Sequence, residues 1–193
     1  MAFLRLYIFL TLLLLNAFFD QPGETNLSFE KARKAFDYLN RIRQHPDSIS
    51  DDVGVDLSYV EPRHRLVWND TLAAVAEAKA LDMAKRNYFD HQTPEGYGIN
   101  IQIHLAGYRL PKDWIKDESS NYFESLGAGY RDGIDLINGL IIDEGTPGLE
   151  HRRHLLGIDE FWSDCRDIGI GIAENPKSTF KTCASIIIAK HNF

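Results

Sequence analysis

Positive charge is scarce in this 193-residue sequence: 21 lysines and arginines stand against 28 aspartates and glutamates, for a net charge of −7. No dense basic stretch offsets that balance, which argues against a nucleic-acid partner, because phosphates require a positive surface. The sequence also lacks a Gly-x-Ser-x-Gly word, a glycine-rich phosphate loop and a His-Glu-x-x-His word. It therefore gives no support to a serine hydrolase, a P-loop nucleotide-binding protein or a contiguous zinc-protease motif.

Cysteine is equally scarce, with only Cys165 and Cys183 in the chain. An even pair often forms a disulfide in an oxidising compartment. The two residues flank a predicted hairpin, and symmetric pairing about Pro176 would place Cys183 opposite Gly169 rather than Cys165. A disulfide and two free buried thiols both remain open, and neither cysteine has a setting typical of a catalytic nucleophile.

Long hydrophobic runs are confined to the N-terminus, where Leu6 to Phe19 is almost unbroken apolar chain after a single arginine. The run is short for a membrane-spanning helix and is typical of an export signal. We therefore expect residues 1–23 to be an export signal, or an N-terminal membrane anchor plus linker, and residues 24–193 to form one domain. Cleavage and anchoring both remain open. Either way, the expected location is secreted, periplasmic or in the cell envelope.

The rest of the chain, with 44% hydrophobic and 25% charged residues, has the composition of an ordinary globular domain. Hydrophobic periodicity predicts helices first and strands later, which indicates an α+β fold. We predict a loop over residues 47–65 and a short strand or a turn over Glu124 to Tyr130. A first helix is predicted at Ser28–Arg43, with Ser28 as its cap. A second helix is predicted to begin at an Asn69 or Asp70 cap and to bury one face, which consists of Leu72, Val75, Ala76, Ala80 and Met83. Two more helices are predicted at Ile99–Gly107 and at Asp132–Asp143, the latter with Ile134, Ile137, Leu140 and Ile141 facing inward. Strands are predicted at 168–172 and 181–189.

Four side chains in these segments carry candidate chemistry: His91, Glu124, Asp143 and His151. Imidazole nitrogens and carboxylate oxygens can bind a divalent cation, zinc above all, and they equally serve as an acid/base site. Their spacing alone is a weak signal. A small shift of register would exchange Asp143 for Glu144. His154, three residues after His151, is either an extra ligand or a packing residue beside Arg152 and Arg153. No role is assigned to the other histidines, His45, His64, His104 and His191.

The words around these residues carry a family resemblance. In order they are Leu39-Asn-Arg-Ile-Arg-Gln-His-Pro46, Leu66-Val-Trp-Asn69, Asn87-Tyr-Phe-Asp-His91, Ala106-Gly-Tyr108, Glu124, Leu140-Ile-Ile-Asp143, His151-Arg-Arg-His-Leu-Leu-Gly157 and Ile168-Gly-Ile-Gly171. Over residues 30–190 the chain resembles a bacterial member of the CAP superfamily (cysteine-rich secretory proteins, antigen 5 and pathogenesis-related 1). The resemblance implies a three-layer α-β-α sandwich with a small, mostly antiparallel sheet.

The same resemblance implies roles for the four residues. His91 and His151 match the two cleft histidines of the family, and Asp143 aligns with an acid near the end of the preceding helix. Glu124 matches the glutamate of the family's Gly-Glu-Asn word, which here reads Phe-Glu-Ser, so its supporting hydrogen bonds are in question. The implied cofactor is zinc or another divalent cation in a cleft formed by this tetrad.

Three functions remain open from the sequence. The favoured one is an extracellular or envelope-tethered binding module for a lipid or sterol, a peptide or a partner protein. The second is a metal-assisted extracellular hydrolase, a peptidase, although the tetrad is not a protease signature. The third is a structural or interaction domain whose cleft holds no metal. The residues do not decide whether there is turnover, and the reading that we favour is not an enzyme.

Overall fold

The computed structural model describes residues 24–190 of the chain. The predicted export signal or anchor at residues 1–23, and His191, lie outside the described residues. Within residues 24–190, no helix combines the length and the hydrophobicity that crossing a membrane requires.

Helices supply the outer layers of the fold. In chain order they are α1 (Phe29–Gln44), α2 (Ser50–Val53), α3 (Asp70–Arg86), α4 (Ile99–Leu105), α5 (Gly133–Ile142), α6 (Glu150–Leu156) and α7 (Glu160–Ser163). Three short 3-10 turns, at Pro46–Ile49, Lys112–Trp114 and Pro147–Leu149, complete the helical structure of the described chain.

Five strands form a single sheet: β1 (Asn26–Leu27), β2 (Val67–Trp68), β3 (Glu124–Ala128), β4 (Asp167–Glu174) and β5 (Thr182–Ala189). Their order is β1-β4-β5-β3, and β2 pairs with the same edge of β4 in the parallel direction, whereas the other pairs are antiparallel. Helix α3 packs on one face of β4 and β5, while α1 and α5 pack together on the other side. The predicted α+β class and three-layer α-β-α sandwich are confirmed.

Close packing joins α3 to the sheet. Its predicted stripe, Leu72 to Met83, is buried, and Asn69 caps the helix by accepting a 3.0 Å hydrogen bond from the Leu72 N–H. A Cβ atom on Gly169 would overlap the backbone of Leu72 and Ala73, and one on Gly171 would overlap that of Ala76. The alanines of the helix and the glycines of the strand therefore let two backbones meet almost directly.

Local predictions about the helical segments need correction in three places. Ser28 is the N-cap residue of α1, as predicted, but its side chain makes no capping hydrogen bond. Ile134 is 42% exposed because it lies in the first turn of α5, where Leu136 takes the inward position. The segment 47–65 is not all loop, since Pro46–Ile49 and α2 are helical turns; Pro46 and Ile49 are buried.

The hairpin register was also wrong. Cys183 faces Ala173, and Gly169 faces Ile187, so the β4–β5 hairpin is centred on Ser178 rather than Pro176. The connection is held by the Asn175 N–H, which donates to the Lys181 carbonyl oxygen at 2.8 Å. Cys165 and Cys183 are free and buried. Cys165 precedes β4 while Cys183 pairs near its far end, a separation along the strands that excludes a direct bridge.

Candidate functional site

His91 lies on the loop that follows α3 and is paired with a buried carboxylate. Helix α3 ends at Arg86, and the C-cap residue Asn87 adopts the left-handed conformation (φ 57°), which stops the helix before the loop that carries His91. Nδ1 of His91 is 3.0 Å from Oε2 of Glu124, and the side chain of Glu124 is fully buried while that of His91 is 39% exposed. Nδ1 of His91 is thus held against the protein interior by Glu124.

Glu124 opens β3 and is fixed from the neighbouring strand. Its Oε1 accepts a 2.7 Å hydrogen bond from the Ser185 hydroxyl on β5. The buried Lys79 lies nearby: burial lowers the pKa of this lysine, and the negative charge of Glu124 opposes that effect. The change from the family's Gly-Glu-Asn word to Phe-Glu-Ser therefore leaves the carboxylate well supported.

Asn121 is a member of the site that the sequence analysis missed. Its Oδ1 accepts hydrogen bonds from the backbone N–H groups of Phe123 and Glu124, at 3.2 and 2.9 Å. Its Nδ2 donates to the Glu124 carbonyl oxygen at 3.2 Å and lies 2.9 Å from Nδ1 of His91. The only sequence signal for this residue is its position three residues before Glu124, which is typical of a side chain that closes a turn.

Asp143 and His151 form a second histidine–carboxylate pair. Nδ1 of His151 is 2.7 Å from Oδ1 of Asp143, whose Oδ2 accepts hydrogen bonds from the backbone N–H groups of His151 and Arg152 at 2.9 and 3.2 Å. Burial alone would raise the pKa of Asp143. The hydrogen bonds from His151, Thr146 and the Arg152 backbone outweigh it, so the pKa lies below its ordinary value. Asp143 is therefore held ionised against the ring.

The alternatives to these residues do not pair with either ring. Glu144 is exposed, and Asp143 rather than Glu144 meets His151. His154 is buried between the Ser125 hydroxyl (2.7 Å from Nδ1) and the Ile188 carbonyl oxygen (3.3 Å from Nε2). Burial, with smaller contributions from Arg43, His151 and His91, lowers the pKa of His154 to about 3, so it is a neutral packing residue.

The arginines beside His151 serve the backbone and a neighbouring turn. Arg152 donates to the carbonyl oxygens of Ile141 and Ile142, and Arg153 pairs with Asp159 at 2.7 Å. Both are structural contacts that fix α6 and hence the position of His151.

A pocket of about 460 Å³ opens beside the second pair, between β3 and α5. Asp143, Glu144, Thr146 and His151 form its polar wall, and the large side chains on the other walls are apolar: Phe89, Leu126, Tyr130, Leu140 and Ile142. Two glycines in its lining are packed against neighbouring side chains. A Cβ on Gly127 would overlap Leu136, and one on Gly139 would overlap the Tyr130 ring. The pocket is therefore amphipathic and bounded by tightly packed elements.

The donor atoms favour histidine nitrogens over carboxylate oxygens as metal ligands. Each ring places Nδ1 against a carboxylate and, within the described chain, leaves Nε2 without a carboxylate partner, which is the arrangement that commonly orients a metal-binding histidine. Among residues 24–190, no group of three or more His, Cys, Asp or Glu side chains is close enough together to hold one metal ion. The four-ligand site thus stays a prediction, and the structure presents it as two pairs.

Comparison with known proteins agrees with this architecture. A profile of the cysteine-rich secretory protein (CAP) family matches residues 36–186, a span that includes both histidine–carboxylate pairs. The chain belongs to the CAP family. This CAP domain keeps the family's fold with two cysteines that are both free.

Two solved structures share the fold of this CAP domain. An outer surface protein from Borrelia burgdorferi superposes with a TM-score of 0.58 at 16% identity, covering 88% of this chain and 99% of that one. An extracellular protein containing an SCP domain from Bacillus anthracis superposes with a TM-score of 0.55 at 21% identity, covering 83% of this chain and 41% of that one. A search of curated proteins gave no match. At these identities the likeness establishes the fold alone.

Proposed function

We propose that this CAP domain is a secreted or envelope-tethered binding module whose cleft binds a divalent cation, zinc above all, through His91 and His151. Glu124 and Asp143 act behind the rings, each holding one imidazole in place. One observation carries the proposal: both histidines direct Nδ1 to a buried carboxylate. That arrangement favours the tautomer with its proton on Nδ1, which presents the Nε2 lone pair to a cation.

Two rings that are fixed in this way suit a cation site that keeps positions open. Zinc with fewer protein ligands than its usual four completes its shell with water or with a ligand atom. When bound, the cation would polarise or anchor a polar group of that ligand. The chain's own contribution is to hold two nitrogens in place, each against a buried carboxylate.

The pocket beside Asp143 and His151 supports a ligand with an apolar part. A volume of about 460 Å³ and an apolar lining next to one polar wall fit a lipid tail or an apolar peptide side chain. The polar end of such a ligand would meet His151 and the cation. The two structural relatives are described as an outer-surface and an extracellular protein, which is in line with the proposed location.

Zinc titration calorimetry and elemental analysis of the purified protein test this function. We expect one zinc per chain in the wild type and loss of binding in the double variant His91→Ala/His151→Ala. The matched control is His45→Ala/His64→Ala, which removes two exposed imidazoles outside the cleft and should leave the stoichiometry at one. Absence of zinc binding in folded wild-type protein would overturn the cation site and favour a metal-free interaction domain.

A metal-assisted peptidase is the second candidate, because a histidine that is oriented by a carboxylate can also act as a general base. It predicts cleavage of extracellular peptides that a chelator abolishes and that zinc restores. Stoichiometric zinc binding without any cleavage across a peptide library would leave the binding module as the function.

A further inference from the structure

A second pocket lies at the end of α1 and has a volume of about 950 Å³, larger than the pocket beside Asp143 and His151. Its lining includes three arginines and two histidines, Arg63, Arg65, Arg166, His45 and His64, against one acid, Asp164. This second pocket is lined by none of the four tetrad residues, His91, Glu124, Asp143 and His151. In a chain with a net charge of −7, this concentration of cationic side chains in one concavity stands out.

The three arginines lack carboxylate partners within the described part of the chain. Arg63 donates through Nε to the Gly157 carbonyl oxygen at 3.0 Å, and Arg166 donates through Nη1 to that of Ser163 at 2.6 Å. Arg65 makes one long contact, 3.3 Å, with the neutral amide of Gln44. These contacts fix the side chains without neutralising them, and each guanidinium has five N–H donors.

The one acid in the lining faces another cation. Oδ2 of Asp164 is 3.5 Å from Nζ of Lys190, and the Asp164 side chain is 67% exposed. Its charge is thus shared with a lysine that does not line the pocket, and the arginines keep an excess of positive charge.

A fourth arginine adds to the positive potential from inside the protein. Arg43 is fully buried, donates through Nη1 to the Leu155 carbonyl oxygen at 2.7 Å, and has no hydrogen-bond partner for Nε and Nη2 among the described residues. Burial, followed by the charges of Arg166 and Arg63, lowers its pKa to about 10. The guanidinium still carries its charge at neutral pH, and an anion in the neighbouring pocket would offset that charge.

We propose that this pocket binds a phosphate group, with Arg63, Arg65 and Arg166 as its ligands. Guanidinium groups match the oxygens of a phosphate with paired, charge-assisted hydrogen bonds. The volume of about 950 Å³ exceeds that of a bare phosphate and leaves room for the organic part of an ester. The phosphate belongs either to a soluble monoester or to a lipid headgroup.

Titration of the ¹⁵N-labelled protein with inorganic phosphate and with glycerol 3-phosphate, at constant ionic strength, tests the site. We expect saturable shifts in the amides of residues 63–65 and 163–166. Binding should weaken about tenfold in Arg65→Gln and about a hundredfold in Arg65→Gln/Arg166→Gln, because each lost charged hydrogen bond is worth about a factor of ten. The single variant Arg65→Gln alters only an exposed side chain, so it tests the site even if the double variant unfolds.

Arg109→Gln is the matched control, because it removes the same charge from an exposed arginine outside the pocket. Its affinity for both phosphates should equal that of the wild type. An equal loss in Arg109→Gln and Arg65→Gln, or no saturable shift with either phosphate and no capture by vesicles, would overturn the proposal.

Flotation with phosphatidylcholine vesicles, with and without phosphatidic acid, separates the two sources. Capture only by vesicles with phosphatidic acid, reduced in Arg65→Gln and unchanged in Arg109→Gln, assigns the site to a lipid headgroup. Binding of glycerol 3-phosphate without such capture assigns it to a soluble ester. Capture that is equally strong in all variants would be unspecific and would contradict a lipid-headgroup site.

Discussion

The side-chain amide nitrogen of Asn121 lies 2.9 Å from Nδ1 of His91, the same ring nitrogen that Oε2 of Glu124 approaches to 3.0 Å. One nitrogen cannot accept from Asn121 and donate to Glu124 at the same time. The orientation of Asn121 is fixed, since its Oδ1 accepts from two backbone N–H groups. A hydrogen bond to an ionised carboxylate is roughly twice as strong as a neutral one, so Glu124 determines the tautomer.

We therefore predict that His91 in the metal-free protein carries its proton on Nδ1 and that Glu124→Gln moves it to Nε2. Without the charged acceptor, the fixed Asn121 amide becomes the stronger partner of Nδ1 and donates to it. Nitrogen-15 chemical shifts of the imidazole rings, measured in the presence of a chelator, report the tautomer directly. His151 is the internal control, because its partner Asp143 is unchanged and its shifts should stay the same. An unaltered His91 tautomer in Glu124→Gln would contradict this account.

The carboxylates behind the rings should set the zinc affinity. We predict that Glu124→Gln and Asp143→Asn each weaken zinc binding about 10- to 100-fold, since a histidine that loses its orienting carboxylate is a poorer ligand. Calorimetric titration measures the change. Glu144→Gln is the matched control, because Glu144 is adjacent to Asp143 but exposed and unpaired with His151. A larger loss in Glu144→Gln than in Asp143→Asn would reverse the assignment.

Buried His154 should make the protein less stable in mild acid. Its pKa is about 3 in the folded state and about 6.5 in the unfolded chain, so between those values only the unfolded chain takes up the proton. The free energy of unfolding therefore falls as the pH drops below about 6.5, by about 1.4 kcal/mol per pH unit. Urea denaturation at pH 7 and pH 5 should show about 2 kcal/mol more loss in the wild type than in His154→Gln. Equal losses would mean that His154 is not the responsible group.

The contact between α3 and β4 leaves no room for a side chain at Gly171. Gly171→Ala should lower the free energy of unfolding by about 3 kcal/mol or more, because the added Cβ overlaps the Ala76 backbone, which cannot give way. Gly54→Ala is the comparison: Gly54 has a positive φ of 66° but open space around it, so about 1 kcal/mol is expected. Chemical denaturation of both variants provides the measurement, and similar losses would show that backbone strain rather than overlap is the cause.

Both thiols should be inert in the native protein. Burial raises the pKa of Cys165 to about 12 and also raises the pKa of Cys183, so neither forms the reactive thiolate at neutral pH. We expect no reaction with a thiol reagent in the folded state and two thiols per chain after denaturation without reductant. A titre of zero in the denatured protein would instead reveal a disulfide.

The parts of the fold that follow from short-range patterns were predictable. The stripe from Leu72 to Met83 repeats at helical spacing, and burial on one face follows from that repeat alone. The motifs around His91 and His151 likewise singled out two rings that the structure pairs with carboxylates, because each motif lies within a few residues of its ring. Asp143 was preferred over Glu144 from the alignment of one short word, and the structure pairs it with His151.

Other features depend on contacts between distant parts of the chain. Ser185 supports Glu124 from 61 residues away, which no local pattern records. The hairpin centre at Ser178 is set by the turn residues Asn175 and Lys181, whereas the prediction assumed symmetry about a proline. Arg63 and Arg166 lie about a hundred positions apart in the sequence, so the basic pocket that they share exists only after folding.

Gly127 and Gly139 carry no functional group, yet both line the pocket beside Asp143 and His151. One lies on the strand that begins with Glu124, and the other lies in the helix that ends before Asp143, so each sits on an element that carries one carboxylate of a pair. A methyl group at Gly127 would meet the Leu136 side chain and one at Gly139 would meet the Tyr130 ring, so either substitution requires its neighbour to move. Substitution at these two positions, both outside the tetrad, would therefore reshape the pocket while all four residues of the tetrad stay the same.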